Sequence, residues 1–197
     1  MKKSLSIKNI ARIAILGALG AILMLIDFPI FIAPSFYKLD IGDLPCLIGA
    51  FAMGPIPALF IQVIKILLKL LFKPTSTAFV GELASFIFSS SYCIVASIVY
   101  EKNRTKKGAI KAIIIGSIVM VLVASVANYL FIIPAYSKLY NMPLEAIISL
   151  GGKIFPIVKD LFSFCLCCVL PFNIIKAVLI DVLTLLLYKH ISPLLRG

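Results

Sequence analysis

The stretch Ala112-Ile-Ile-Ile-Gly-Ser-Ile-Val-Met-Val-Leu-Val-Ala-Ser-Val-Ala-Asn128-Tyr-Leu-Phe-Ile-Ile133 decides the fold class. It carries no charged side chain, and it exceeds the roughly 20 residues that a helix needs to cross a bilayer core. Backbone N–H and C=O groups find no water in hydrocarbon, so such a run is stable there only when it bonds to itself as a helix. Pro134, directly after it, reads as its stop. Working outward, comparable apolar runs occupy residues 7–27, 44–53, 58–72, 79–100 and 171–188. The chain of 197 residues is 62% hydrophobic and only 14% charged, with a mean hydropathy of +1.14. A soluble domain is about half apolar and a quarter charged, so this chain lacks the polar groups to cover a water-facing surface, and lipid is its solvent. The expectation is an all-α integral membrane protein, a six-transmembrane-helix bundle, with residues 1–197 forming one transmembrane domain.

The intervening segments refine this reading. The run 44–53 is short for a span and reads as tilted or sunk in the bundle. Gly54-Pro-Ile-Pro57 reads as a tight turn. Residues 135–170 read as long and less regular. Their apolar piece 154–169, interrupted by Pro156, Lys159 and Asp160, is expected to fold onto or part-way into one mouth of the bundle. The first run is too long for a signal-peptide core and has no small-residue cleavage site after it, so it reads as a retained helix.

The net charge of +11 is distributed in a way that excludes nucleic acid as its purpose. Lys2, Lys3, Lys8 and Arg12 precede or open the first run. Lys102, Arg104, Lys106, Lys107 and Lys111 lie between the fourth and fifth runs, and Lys189 and Arg196 come after the last. With six spans these segments share one side, which the positive-inside rule makes cytoplasmic. The expectation is a multi-pass cell-membrane protein with both termini in the cytoplasm. Five cysteines, Cys46, Cys93, Cys165, Cys167 and Cys168, sit in apolar runs. No second Cys or His group is spaced to complete a metal site, and small apolar packing is the reading. There is no G-x-x-x-x-G-K-[ST] loop, no H-E-x-x-H, no G-x-S-x-G and no paired carboxylates, so neither ATP binding of that kind nor intramembrane catalysis is supported.

Polar side chains at membrane depth are costly and face a cavity or one another. Gln62, Lys65, Lys69 and Lys73 recur at helical spacing on one face; Lys65 needs a partner, and Glu82 on the next helix reads as an ion-pair partner or a ligand contact. Asp181 reads as a structural partner for a lysine. Asn128, Asn173 and Lys176 fall at similar depth near the outer ends of their helices. Two amides and an ammonium among apolar walls outline a small-molecule site, with interhelical hydrogen bonds as the alternative. An amide both donates and accepts, so it matches a ligand edge that alternates C=O and N–H. The Pro-rich, aromatic residues 28–37 read as a lid. Ala14 and Ala18 are small residues four apart, a spacing that lets another helix come close.

Lys38-Leu-Asp-Ile-Gly-Asp-Leu-Pro45, Met53-Gly-Pro55, Asn128-Tyr-Leu-Phe-Ile-Ile-Pro-Ala-Tyr136 and Pro171-Phe-Asn-Ile-Ile-Lys176 together resemble the riboflavin-specific, RibU-type S components of energy-coupling factor (ECF) transporters. The resemblance covers essentially the whole chain. It implies a substrate-binding subunit that takes riboflavin on the outer side as transported ligand, with no cofactor. A transmembrane coupling subunit and two ATPases would supply the energy. By motif position it makes Asn128, Asn173 and Lys176 the polar ligands, and it places Leu39, Asp40 and the aromatic loop ending in Tyr37 around the pocket. It makes Ala14 and Ala18 the face that meets the coupling subunit. Gly42 stands where the family commonly has Ser, Glu82 where Gln is expected, and the stretch between Tyr136 and Pro171 is long. Fine substrate choice, riboflavin against FMN or another vitamin, therefore stays open. A small intramembrane enzyme and a ligand-free membrane scaffold are the competing classes.

Overall fold

The computed structural model describes residues 7–195, with side chains described through Leu187. Of the basic residues read above, Lys2, Lys3 and Arg196 lie outside the described residues, as does the side chain of Lys189.

Helix α1, Ile7–Leu25, leads into a small antiparallel hairpin in which β1, Phe28–Pro29, pairs with β2, Lys38–Leu39. Then come α2 (Asp43–Met53), α3 (Pro55–Phe72) and α4 (Val80–Lys102). Helix α5 (Lys106–Ala127) passes through a π-helical turn, Asn128–Ile132, into α6 (Ile133–Leu139). Next are α7 (Leu144–Gly152) and α8 (Leu161–Phe164), which runs through a second π-helical turn, Cys165–Val169, into α9 (Leu170–Leu195). Five described helical stretches are long and apolar enough to cross a membrane: Ile7–Leu25, Pro55–Phe72, Val80–Lys102, Lys106–Leu139 and Leu161–Leu187. Asp43–Met53 is a shorter apolar helix.

That short helix is the centre of the bundle. It packs against α1, α3, α4 and α9, and Cys46, Leu47, Ala50 and Phe51 are buried among Ile61, Tyr92, Cys93 and Ala96. Surrounded by protein, it needs no full span of its own, which matches the sunken helix read from its length. Helix α3 opens with Pro55, at a position where no backbone N–H is needed. It buries the stripe Ala58, Ile61, Gln62, Lys65, Ile66 and Lys69. The opposite faces carry large apolar side chains outward, such as Ile15 and Ile22 on α1 and Leu67 and Leu71 on α3. In water this would be a liability; against lipid tails it is the matched solvent.

Two expectations are corrected. Pro134 does not stop its helix. The π-helical turn before it shifts the hydrogen bonding by one residue, so that the Ile133 N–H donates to Asn128 O, five residues back. The extra residue makes room for the proline ring, and the helix continues to Leu139. The last span likewise starts not at Pro171 but at Leu161. A capping box opens it: the Ser163 N–H donates to Asp160 Oδ1 at 2.7 Å, and the Asp160 N–H donates to Ser163 Oγ at 3.1 Å. Residues 161–169 of the piece 154–169 are thus the first turns of the final helix. A second π-helical turn, with the Leu170 N–H on Cys165 O, precedes Pro171 in the same way.

The helices leave one end of the bundle with the exposed Lys8, Lys102, Arg104, Lys106, Lys107 and Lys111. At the other end α1, α3 and α6 finish, and α2, α4 and α8 begin. The small residues of α1 divide between two faces. Gly17, Gly20 and Ala21 are buried, whereas Ala14 is exposed and Ala18 half-buried. A Cβ at Gly17 would stand 2.5 Å from Cγ2 and 2.8 Å from Cβ of Ile64, so only glycine lets α3 come this close. Gly17→Val is expected to destabilise the bundle by about 1–3 kcal/mol, and Ala14→Val to leave thermal unfolding in detergent unchanged. Equal loss in both variants would mean that the two faces of α1 are not distinct.

A charge-lined cavity at one end of the bundle

The elements that meet at the end away from the Lys102–Lys111 segment enclose a cavity of about 490 Å³, within the range of roughly 300–1,000 Å³ usual for small-molecule sites. Its walls come from every part of the chain: Met24 and Asp27 within and after α1, Phe36 and Tyr37 from the hairpin loop, Phe88 from α4, Met120 from α5, Ile132 and Ile133 beside the first π-helical turn, Ile147 from α7 and Phe172 from α9. Asn128, Asn173, Lys176, Asp40, Tyr37 and Glu82 all line it. Leu39 does not; it is 4% exposed and packs behind the wall with Ala33, Ile133, Phe164 and Phe172.

The two asparagines are placed by the π-helical turns. Asn128 is the first residue of one, and Asn173 comes shortly after the other. Each donates one amide N–H to the carbonyl four residues back, Asn128 to Ala124 O and Asn173 to Val169 O, both at 2.8 Å. That fixes each amide against its helix and leaves its second N–H available. Asn128 Oδ1 accepts the Tyr37 hydroxyl at 2.6 Å, which ties the hairpin loop to the first π-helical turn. Tyr37 also stacks at a tilt on Phe36 and Phe172. Burial pushes its phenol well above the ordinary tyrosine value. The folded state therefore holds this proton more tightly than the unfolded chain, and the stability it contributes is complete below about pH 10 and falls as pH rises beyond that.

Below the amides lies a chain of charges. Lys65, fully buried on α3, donates to Asp43 Oδ1 at 2.5 Å. Asp43 Oδ2 stands 3.2 Å from the Lys176 ammonium, which in turn donates to Asp40 Oδ2 at 2.9 Å. Gln62 Nε2 reaches Asp43 Oδ1 at 3.5 Å, and the Gly42 N–H donates to Asp40 Oδ1 at 2.9 Å. Helices α2, α3 and α9 are thereby joined through one carboxylate. A side chain at Gly42 would meet Gly20 O at 2.7 Å and Met24 Cβ at 2.8 Å, so glycine here lets α1 press against the segment that carries Asp40 and Asp43.

Higher on the wall, Lys69 donates to Glu82 Oε1 at 2.7 Å, while Thr75 and Thr77 hydroxyls donate to Glu82 Oε2 at 2.9 Å each. At the rim Asp27 takes Lys73 at 2.7 Å and Lys38 at 3.5 Å. The ion pair considered for Glu82 is therefore present. Asp181, by contrast, pairs with no lysine among the described residues: it accepts the Tyr92 hydroxyl and the Ser117 hydroxyl, the latter at 2.8 Å, and joins α4, α5 and α9. Sequence reasoning left Asp43 without a role in the site, although the need of Lys65 for a partner was the signal that an acid had to stand nearby. Ser85 and Ser89 on the cavity wall were also missed; nothing in an apolar helix distinguishes a cavity serine from a packing one.

Comparison with known proteins shows the family. Residues 8–188 match the family described as ECF transporter, substrate-specific component. A riboflavin transporter RibU from Staphylococcus aureus is 31% identical over 96% of this chain and 93% of its own length. The riboflavin transporter FmnP of Bacillus subtilis is 25% identical over 96% and 94%. A solved S component of a bacterial ECF transporter has a TM-score of 0.73 at 30% identity, over 96% of this chain and 98% of that one. The chain belongs to the substrate-specific S components of ECF transporters. It is a multi-pass membrane protein and a transporter subunit rather than an enzyme.

Removing the bridging carboxylate tests the charge chain. Asp43→Asn leaves the Lys65 ammonium buried without its counter-charge and should cost about 3–5 kcal/mol of stability. Tyr37→Phe strips one hydrogen bond from Asn128 and should cost about 1–3 kcal/mol. Thermal unfolding of both in detergent checks the order; an Asp43→Asn loss no larger than that of Tyr37→Phe would refute the bridging role.

Proposed function

We propose that this chain binds riboflavin in the cavity and delivers it to a coupling subunit, with two ATPases of an ECF module supplying the energy. The observation that carries this is the pairing of apolar walls with the open hydrogen-bonding capacity of Asn128 and Asn173 at one level of the cavity. The flavin ring presents a large apolar face and one C=O/N–H/C=O edge. No donor among the described residues reaches Asn173 Oδ1, so this amide has an acceptor and an N–H to offer, and Asn128 has an N–H. Lys176 donates one N–H to Asp40 and stands 3.2 Å from Asp43 as its counter-charge, which leaves N–H capacity for a ribityl hydroxyl. Tyr37 and Asp40 act around the pocket, and Leu39 supports its wall from behind. The relatives named as riboflavin transporters support the choice of ligand. The outward face of α1 with Ala14 and Ala18 is the surface for the coupling subunit, and the chain contains no phosphate-binding loop of its own.

Asn128→Leu or Asn173→Leu leaves ligand polar groups desolvated and unpaired. Each should weaken riboflavin binding by about 1–3 kcal/mol, roughly 5- to 150-fold. Lys176→Met should act in the same direction, although part of its effect is the loss of the charge chain. Titration followed by quenching of flavin fluorescence decides the matter: parent-like binding by both asparagine variants, shown to be folded, overturns the site.

The same reading places the cavity outside the cell and both termini in the cytoplasm, since the exposed basic residues lie at the opposite end. A single cysteine introduced at Thr105 in a background without the native cysteines should resist an impermeant thiol reagent, and one at Ser149 should react. The reverse pattern would invert the topology.

A further inference from the structure

The cavity lining carries four lysines and four carboxylates, and each of these lysines already lies on a carboxylate. Its formal charge is zero. Below the rim, a doubly charged phosphate ester would have to compete for Lys69 or Lys176 with a carboxylate that is itself shielded from water.

One of these acids is held as an anionic ligand would be. The Glu82 carboxylate, 6% exposed, receives the Lys69 ammonium at 2.7 Å on one oxygen and the Thr75 and Thr77 hydroxyls at 2.9 Å on the other. The two hydroxyls are themselves oriented, because they accept backbone N–H groups, Thr75 Oγ1 from Thr77 and Phe79 and Thr77 Oγ1 from Gly81, each at 3.1 Å. An ammonium and two aimed hydroxyls form an anion receptor. Its occupant is the protein's own side chain.

We infer that Glu82 is a specificity-determining residue: by filling the Lys69–Thr75–Thr77 receptor it keeps phosphate esters of the ligand out of the cavity, and its removal opens that receptor to them. This rests on the riboflavin reading above, and it concerns the choice between the vitamin and its phosphate, which that reading does not decide.

The test is a pair of titrations of the full chain in detergent, one with riboflavin and one with riboflavin 5′-phosphate, for the parent, Glu82→Ala, Glu82→Gln and the double variant Glu82→Ala with Lys69→Met. The parent should bind the phosphate ester at least about tenfold more weakly than riboflavin, and Glu82→Ala should shrink that ratio by about tenfold or more. Adding Lys69→Met should restore the preference, because the receptor then lacks its cation. Riboflavin binding by each variant reports its folding, and if Glu82→Ala does not fold, the ratio for Glu82→Gln, which keeps the volume and loses the charge, decides. Equal affinities of the parent for both flavins would overturn the inference. So would an unchanged ratio in the glutamate variants, or a double variant that behaves like Glu82→Ala. A parent that binds neither flavin refutes the riboflavin reading instead.

Discussion

The structure depends on a carboxylate that two lysines share. Asp43 stands at the first turn of the central helix and meets Lys65 from α3 and Lys176 from α9. Neither lysine is tolerable in an apolar bundle alone, because the loss of hydration far exceeds what packing returns. Together with Asp40 they form an alternating chain whose charges cancel, and each member fixes another. The cost of burying the chain is offset only in the one arrangement in which all four groups meet, which makes it a device for specificity of packing. It sets the register of α2 against α3 and α9, and α2 in turn is the element around which the outer helices assemble.

The cavity is a consequence of where that chain ends. Helix α2 is too short to fill the bundle from end to end, so above Asp43 there is space that the longer helices surround. Two interruptions aim side chains into it. Pro134 and Pro171 each come just after a π-helical turn, and each turn positions an asparagine on the cavity wall. A regular helix with proline in its interior would lose a hydrogen bond and clash with the preceding turn. The inserted residue relieves both and rotates the N-terminal part of the helix relative to its C-terminal part.

The charged groups of the wall are all bound to a partner. The lysines are neutralised by carboxylates, Tyr37 and Asn128 hold each other, and Thr75 and Thr77 are committed to Glu82. The residual capacity lies in amide and ammonium N–H groups, one amide oxygen and the hydroxyl of Ser85, which suits a ligand that is polar along an edge and carries no net charge. The hairpin loop that contributes Tyr37 is held at its base, by the Asp27–Lys38 ion pair and by the Tyr37 hydrogen bond to Asn128.

The amino-acid sequence by itself determined the features that arise from transfer of apolar surface into lipid. The all-helical membrane class, the short sunken helix at 44–53, the described basic residues Lys8 and Lys102–Lys111 sharing one end and the facing stripe Gln62–Lys65–Lys69 are local consequences of composition and helical period. The capping box Asp160-Leu-Phe-Ser163 was equally legible and marks where the last span begins; the weight placed on Pro171 obscured it. Similar depth on their helices brought Asn128, Asn173 and Lys176 together, and motif likeness assigned them as ligands. Only the tertiary structure decided which acid each buried lysine meets, that Asp181 pairs with hydroxyls, that Leu39 stands behind the wall, and that two prolines continue their helices. These depend on pairings between residues dozens of positions apart and on the insertion of one residue in a helical turn. Neither leaves a periodic trace, because an ion pair is chosen by the geometry of the assembled bundle and not by the segment that supplies it.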